Sequence, residues 1–557
     1  MDYLFYFVFF VIVVAVYSIV NTHKQKKILL QQLKQDWGKC PDTDYSSEKL
    51  DSIKFFSLTQ KDDYIDIDDI TWNDLDMDEI FLRINNTQSS LGEEYLYALL
   101  RKPSFSSEEL LERNRLIEYF QSHEEERRKI QVNLNNVGKL RNISAFEYIN
   151  RLSEQEAGNN LPHYLMTLGL ILSIVSIFIN PSIGMGLTLF FLAFNIISYF
   201  KYKADIDNYI TIIAFQLRLL DSIEHLVKHS IPELGKYNKQ LATDLKTFKR
   251  YKRGSSIVVA RNVSGNLLEA IMDYYRMTSH HDIIKYNSML NYFKNNKETM
   301  NRIFKTVGFI DSMIAIASYR HMLNYYSIPK LSHTKSNPKL SIIDVFHPLI
   351  SDPIPNSITE DRCTLLTGSN ASGKSTFIKS LAVNAILSQT IYTSLSKEYR
   401  SSYFIIYSSM ALKDNILSNE SYFIVEIKSL KRIMDKVGGE YPVLCFVDEV
   451  LRGTNTLERI AASSRILASL ALHNTLCFAA THDTELTYIL EKHYSNYHFR
   501  ERIDGRQVLY AYPLYKGRAM TKNAIQLLTI LGYSEDIIAD AEEAVDEYMK
   551  TGEWSAI

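Results

Sequence analysis

The chain has 557 residues, with 62 Lys and Arg against 64 Asp and Glu and a formal net charge of −2. That length allows several domains, and the near-neutral balance excludes a uniformly basic nucleic-acid binder while leaving local basic patches open. Its four cysteines, Cys40, Cys363, Cys445 and Cys477, contain no Cys-x-x-Cys pair; they read as thiols in a reducing compartment and exclude a disulfide or zinc framework.

From the N-terminus, Leu4 to Val20 is an almost unbroken apolar run without charge, followed by His23-Lys24-Gln25-Lys26-Lys27. About 18 such residues span a bilayer. The basic residues follow the run rather than precede it, which fits an uncleaved anchor with its N-terminus outside better than a secretory signal. Leu75–Phe81, Asn86–Pro103 and Leu111–Ile117 carry the spacing of packed helices. Between Tyr164 and Phe200 there is no Asp, Glu, Lys or Arg, and Asn180-Pro181-Ser182 interrupts the run. The pattern predicts a transmembrane hairpin with spans 163–179 and 183–200; a pair of buried helices in a soluble core is the alternative. Lys201 and Lys203 follow, so residues 21–162 and 201–557 are both expected on the cytoplasmic side of the cell (inner) membrane.

Further on, Lys246–Gly254 mixes cations with aromatics. A solvated helix end is the plainer reading, a grip on the phosphates of lipid or DNA the sharper one. His280-His281-Asp282 has metal-ligand residue types, but adjacent histidines on a helix point apart, and an exposed turn is expected. The polar run Ser332–Lys339 reads as a linker.

The densest chemistry begins at residue 363. Cys363-Thr364-Leu365-Leu366-Thr367 is a short apolar strand, and Gly368-Ser369-Asn370-Ala371-Ser372-Gly373-Lys374-Ser375 fits G-x-x-x-x-G-K-[ST] at every fixed position. Thr376 onward reads as the first turns of a helix. Such a loop turns its amides and a helix N-terminus toward a phosphate; Lys374 reaches the β- and γ-phosphates of ATP, and the Ser375 hydroxyl suits Mg²⁺. Tyr441–Val447 is a second apolar strand ending in Asp448-Glu449, where the first acid completes the Mg²⁺ site and the second orients water. Thr475–Ala480 is a third, ending in Thr481-His482-Asp483, where His482 can sense the γ-phosphate. Three strands ending in polar groups is the pattern of an open α/β sheet with a site at its carboxyl edge. Ser534–Met549 has amphipathic spacing.

These motifs resemble the MutS family, within the wider ABC-type ATPases. Thr367–Thr376 is similar to its phosphate loop, with Ser369 and Ala371-Ser372 where that family has Pro and Met-Gly. Asp448–Thr456 resembles its acid pair and the Gly-rich segment after it, and Ala480–Thr487 its Ala-Thr-His segment. Asp414–Phe423 resembles the loop whose serine reaches the partner's ATP, which implies Ser421 as a trans-acting residue, although Asn419 stands where a Gly is usual. Ile354-Pro355-Asn356 resembles the segment beside adenine; Pro353 in place of the family's aromatic implies weaker base selectivity. Leu75–Lys102 and Leu111–Ile117 look like the start of the helical core, Asp311–Ala317 and His347-Pro348 like the join of lever to ATPase, and the segment from Lys516 like the C-terminal dimerisation helices.

The resemblance covers roughly 65–135 and 205–545. It implies an α/β P-loop ATPase domain of ABC/MutS type preceded by an all-α core or lever, a homodimer with composite ATP sites, and DNA as a partner. No Phe-x-Glu wedge stands ahead of Leu75, so direct mismatch reading is not expected, and a membrane ATPase acting on protein or lipid is the alternative. The expected order is an anchor at 1–22, a cytoplasmic segment with the start of the helical core at 23–162, the transmembrane hairpin at 163–200, a lever-like region at 201–335, the ATPase at 336–515 and the C-terminal helices at 516–557.

Overall fold

The computed structural model describes residues 23–41, 45–62, 64–154, 156–228, 231–252, 267–334, 336–368, 372–410, 422–452, 454–504, 507–519 and 532–552, with 17, 20, 21, 525, 528 and 554–556. Ahead of the first strand come α1 (Ser47–Thr59), α2 (Asp69–Asp74), α3 (Met77–Ile84), α4 (Ser90–Arg101), α5 (Ser107–Ser122), α6 (Glu124–Val137) and α7 (Ala145–Glu154). They continue with α8 (Leu161–Ile177), α9 (Pro181–Lys228), α10 (Gly235–Lys252), α11 (Leu267–Ser279), α12 (His281–Asn295) and α13 (Lys297–Met322). Next are β1 (Lys330–Ser332), β2 (Leu340–Val345), β3 (Asn356–Glu360), β4 (Cys363–Thr367), α14 (Lys374–Thr390), β5 (Glu398–Ser402) and β6 (Ile405–Ser409). The chain ends with α15 (Tyr422–Met434), β7 (Val443–Asp448), α16 (Thr456–Ala471), β8 (Thr475–Ala480), α17 (Thr484–Ile489), β9 (Tyr494–Asp504), β10 (Gln507–Lys516) and α18 (Glu535–Thr551).

Two compact units result. One comprises Met1–Gln60, Ile84–Ala98 and Arg115–Met322; the other comprises Lys61–Arg83, Leu99–Asn114 and Leu323–Ile557. The α/β unit thus starts at Leu323 and takes in two earlier pieces of chain. The polar run 332–339 is the connection from β1 to β2 inside it, not a linker ahead of it.

In the helical unit α13 exposes Glu298, Arg302 and Lys305 along one side and is buried on every face from Ile310 to Arg320, which is why its second half lacks the polar stripe of a surface helix. Two glycines set how closely α4 crosses it. A β-carbon on Gly92 would stand 2.2 Å from Asp311 Oδ2, and one on Gly308 would stand 2.7 Å from the Leu91 carbonyl. The Asp311 carboxylate accepts from the Gln88 and Ser89 amides at 3.0 and 2.9 Å and from the Ser89 hydroxyl at 2.6 Å. It therefore holds the turn that leads into α4, whose first turn is capped in its place by Ser89 Oγ, accepting from the Gly92 amide at 3.2 Å. Glu94 does the same for α7, accepting from the Ser144 hydroxyl at 2.8 Å and the Ala145 amide at 2.5 Å, and burial pushes its carboxyl up to about 8.

α8 and α9 fold back on one another at Phe178 and Ile179, which are 87% and 83% exposed. Leu165, Leu168, Leu172, Val175, Phe190 and Ile197 are exposed along the pair. Among the described residues only Pro181–Lys203 is long and apolar enough to cross a membrane; α8, with 17 residues, is shorter. The helix does not end at Phe200. It runs on to Lys228, 48 residues in all, because nothing after Gly186 interrupts helical geometry and the change at Lys201 is one of polarity only. Apart from Tyr17 and Val20, the apolar run 4–20 lies outside the described residues.

The histidine pair is not on an exposed turn. His280 is fully buried, at φ +51° between α11 and α12. Its Nδ1 lies 2.9 Å from His163 Nδ1, and its Nε2 lies 2.9 Å from the Asn195 carbonyl. Beside it Asp282 accepts from Tyr199 and Lys203 at 2.9 and 3.0 Å. The left-handed residue breaks the helix and turns the imidazole inward, a conformation that alternation along one helix does not anticipate. The basic patch resolves into the two faces of α10. Phe248 and Tyr251 are core residues, while Lys252 pairs with Asp221 and Glu224 of α9 at 2.6 and 2.5 Å; Arg253 and Gly254 lie outside the described residues.

In the α/β unit six strands run in the order β10-β9-β4-β8-β7-β6, parallel except for β10. β4, β6, β7 and β8 are buried at every position, as strands covered on both faces must be, hence their unbroken apolar sequences. Cys445 and Cys477 are direct partners in neighbouring strands and pack with Cys363 in the core that also holds Leu467 and Leu470 of α16. The three cysteines are buried free thiols and Cys40 is an exposed one. α14, buried at every position from Ser380 to Thr390, packs on β6, β7 and β8 and on β2 of a second sheet with order β1-β5-β2-β3.

Candidate functional site

The register of the sheet assembles the site. β4 and β7 flank β8, with Leu366 and Asp448 both opposite Ala480, so Thr367, Asp448 and Thr481 leave the sheet at one edge. From Thr367 the chain passes Gly368 at φ +146° and Gly373 at φ +100° into α14. Only glycine adopts such angles without strain. A β-carbon on Gly368 would also lie 2.8 Å from Ser372 Oγ and 3.2 Å from the Phe499 carbonyl. Lys374 is buried at the start of α14, and its Nζ donates to the Gly368 carbonyl at 2.8 Å. Ser372 Oγ is buried and has no hydrogen-bond partner among the described residues. Ser369, Asn370 and Ala371 of the loop, and Ser421, lie outside the described residues.

A cavity of about 390 Å³ opens over this helix start. Ser372, Gly373, Lys374, Ser375, Thr376 and Glu449 line it, and so do the apolar Val345, Ile350, Pro353, Ile354, Phe377 and Phe499 together with Asp352 and Asn356. Asn356 is also structural, its Oδ1 accepting from the Leu514 amide at 2.9 Å. The wall includes His347, whose Nδ1 accepts from the Leu349 amide at 3.3 Å and whose Nε2 is buried without a partner. Burial, and then the Lys379 cation, push its pKa down to about 4 against a smaller pull from Asp76; Lys379 and Asp76 themselves pair at 2.7 Å.

The acid pair divides two roles. Asp448 is buried at the end of β7 with Oδ1 unpartnered. Glu449 turns away at φ +52°, its amide donating to the Ala480 carbonyl at 3.0 Å. Its carboxylate lies 2.8 Å from His482 Nε2 and pairs with Arg452 on the other side. Carboxylate and hydroxyl oxygens such as those of Asp448 and Ser375 are of the type a hard cation prefers. Among the described residues no three His, Cys, Asp or Glu side chains stand together as a metal cluster, so Mg²⁺ here would draw its other ligands from phosphate and water.

Sequence reasoning did not reach Glu426, Arg459 and Phe499. Glu426, on α15, accepts from the Leu451 amide and, at 3.2 Å, from the Arg452 amide. Arg459, on α16, grips Asp483 with two bonds of 2.9 and 2.6 Å and so fixes the turn that carries His482. The only available signal was the acid beside His482, which calls for a cation without saying which one.

Fold and site together define an α/β domain whose main sheet is parallel but for β10, with a glycine-flanked turn into α14 and an acid pair at the carboxyl edge of that sheet. Residues 364–549 match the family model of MutS domain V. The chain is 27% identical over 276 residues to the DNA mismatch repair protein MutS of Thermotoga maritima, covering 48% of this chain and 34% of that protein. It is 27% identical over 278 residues to the DNA mismatch repair protein MSH3 of Debaryomyces hansenii, covering 46% and 27%. To the human MutS protein homolog 4 it is 29% identical over 262 residues, covering 43% and 27%. The chain thus spans about a third of the length of these curated relatives.

Proposed function

We propose that this chain is a MutS-like ATPase. The observation that carries the reading is one cavity lined by both the start of α14, with Lys374, and Glu449, whose carboxylate is held by His482 and which directly follows Asp448. The loop amides and Lys374 bind the β- and γ-phosphates, and the apolar lining of the cavity takes the base. Ser375 and Asp448 would hold Mg²⁺, which supplies neutralisation of phosphate charge. Glu449 orients the attacking water, and His482 sits against the γ-phosphate side. Catalysis on this plan is positioning and charge stabilisation. Two chains complete the site in the same reading: Ser421 of one subunit reaches the ATP of the other, so that ATP closes a homodimer and hydrolysis reopens it. Mixing Lys374→Ala chains with Ser421→Ala chains is the test. Rescue of partial activity in mixed dimers is expected, and its absence where mixed dimers form would remove the shared site.

The relatives' names bring DNA as the expected partner. A second reading, a membrane-anchored ATPase acting on a protein or lipid partner, is favoured by the exposed apolar flank of α8 and α9. In that reading the hairpin lies in the cell membrane with the ATPase in the cytoplasm. DNA binding by detergent-purified protein, followed as a function of salt with and without ATP, separates the two: a steep salt dependence supports DNA, and no binding at low salt supports the second.

A further inference from the structure

We propose that Glu426 is the positioning residue for Glu449, and that α15 thereby sets the water-orienting acid; this rests on the ATPase reading above. The segment after β7 is held in an unfavourable shape. Glu449 and Leu451 both lie at positive φ, +52° and +58°, a region that strains a non-glycine residue and persists only where its surroundings impose it. Val450 and Leu451 bury their side chains in the core, and Ser463 Oγ donates to the Val450 carbonyl at 3.3 Å. The amides of Leu451 and Arg452 are taken by one group, the two carboxylate oxygens of Glu426.

The arrangement continues into the site. Arg452, whose amide Glu426 holds, sends its guanidinium to Glu449 Oε2, while His482 takes Glu449 Oε1. Glu426 therefore fixes both the backbone turn that presents Glu449 and the residue that orients its carboxylate. Six residues further along α15, Arg432 pairs with Asp68 at 2.7 Å and also donates to the Ser408 carbonyl at the end of β6. The helix is thus fastened at both ends, and its position is passed to the acid through two amides.

Glu426→Gln replaces one acceptor with an NH₂ facing an amide N–H, at nearly constant volume. Full-length wild type, Glu426→Gln, Glu449→Gln and the double variant are compared for ATP turnover, for binding of a fluorescent ATP analogue with Mg²⁺, and for melting temperature. A positioning role predicts kcat down about ten- to a hundredfold for Glu426→Gln with affinity within about twofold, and a double variant no slower than Glu449→Gln alone. Wild-type kcat in Glu426→Gln, a further multiplicative loss in the double variant, or joint loss of affinity and melting temperature would each overturn the proposal. If the wild type neither binds nor hydrolyses ATP, the ATPase reading itself falls, which is seen before any variant is compared.

Discussion

Lys374 donates to the Gly368 carbonyl across its own loop, so the ammonium is already placed where a phosphate would replace that carbonyl. Lys374→Ala is expected to abolish ATP binding, measured by equilibrium binding of a fluorescent analogue. Glu449→Gln keeps the shape and loses the base, so binding survives while turnover falls by about a hundredfold or more. Wild-type turnover in that variant would remove Glu449 from the mechanism. His347 offers a pH test. Its folded pKa of about 4 lies below the ordinary 6.5, so the stability it contributes is present above pH 6.5 and is lost as pH falls toward 4, in all about 3 kcal/mol. Glu94, raised to about 8, works in the opposite sense: its share is present below its ordinary value of 4.5 and is lost as pH rises through 8. Comparing wild type with His347→Asn isolates the first effect, because the amide oxygen can still accept from Leu349. The variant should lose less stability between pH 7 and 4.5 in denaturant titrations, and identical slopes would refute the assignment.

Among the elements, the crossing of α4 on α13 is the most exacting contact in the helical unit. Gly92→Ala drives a methyl into the Asp311 carboxylate and Gly308→Ala drives one into the Leu91 carbonyl. Each should cost about 2 kcal/mol, read as a lowered denaturation midpoint, with Gly92→Ala the worse because it also displaces the carboxylate that holds the turn into α4. The same elements mark how far the sequence could be read. Strands β4 and β8 were legible residue for residue, because a run buried on both faces carries no charge and is bounded by polar or glycine-rich turns. The hold of Asp311 on Gln88 and Ser89 leaves no local signal, since Asp311 is 222 residues away from Ser89. α9 was cut short at Phe200 because charge, not backbone preference, was taken as the boundary. His280 was misplaced because a single left-handed residue redirects a side chain without leaving a mark in composition. In the site, the residues that touch phosphate in the proposed mechanism lie in contiguous motifs, whereas Glu426 and Arg459 act through backbone and neighbours brought together only by folding.

At the scale of the whole molecule, the exposed apolar flank of α8 and α9 predicts that the hairpin holds the protein in a bilayer independently of residues 4–20. A chain lacking 1–22 is expected to remain with carbonate-washed membranes. Adding Leu172→Glu and Phe190→Glu should release it, because a charge facing lipid costs about 2.5 kcal/mol or more at the centre of a span. Release of the truncated chain without those substitutions would show that the hairpin does not insert.

α9 carries no proline after Pro181 and no glycine after Gly186, and so has no point at which it can swivel. Lys203 and Lys228 therefore lie on one continuous helix, about 40 Å apart at 1.5 Å per residue, along which a rotation at one end can be passed to the other. A rod of this kind does not need to move along its axis to be felt at its far end; turning is enough, and the direction of turning would be the same at both ends.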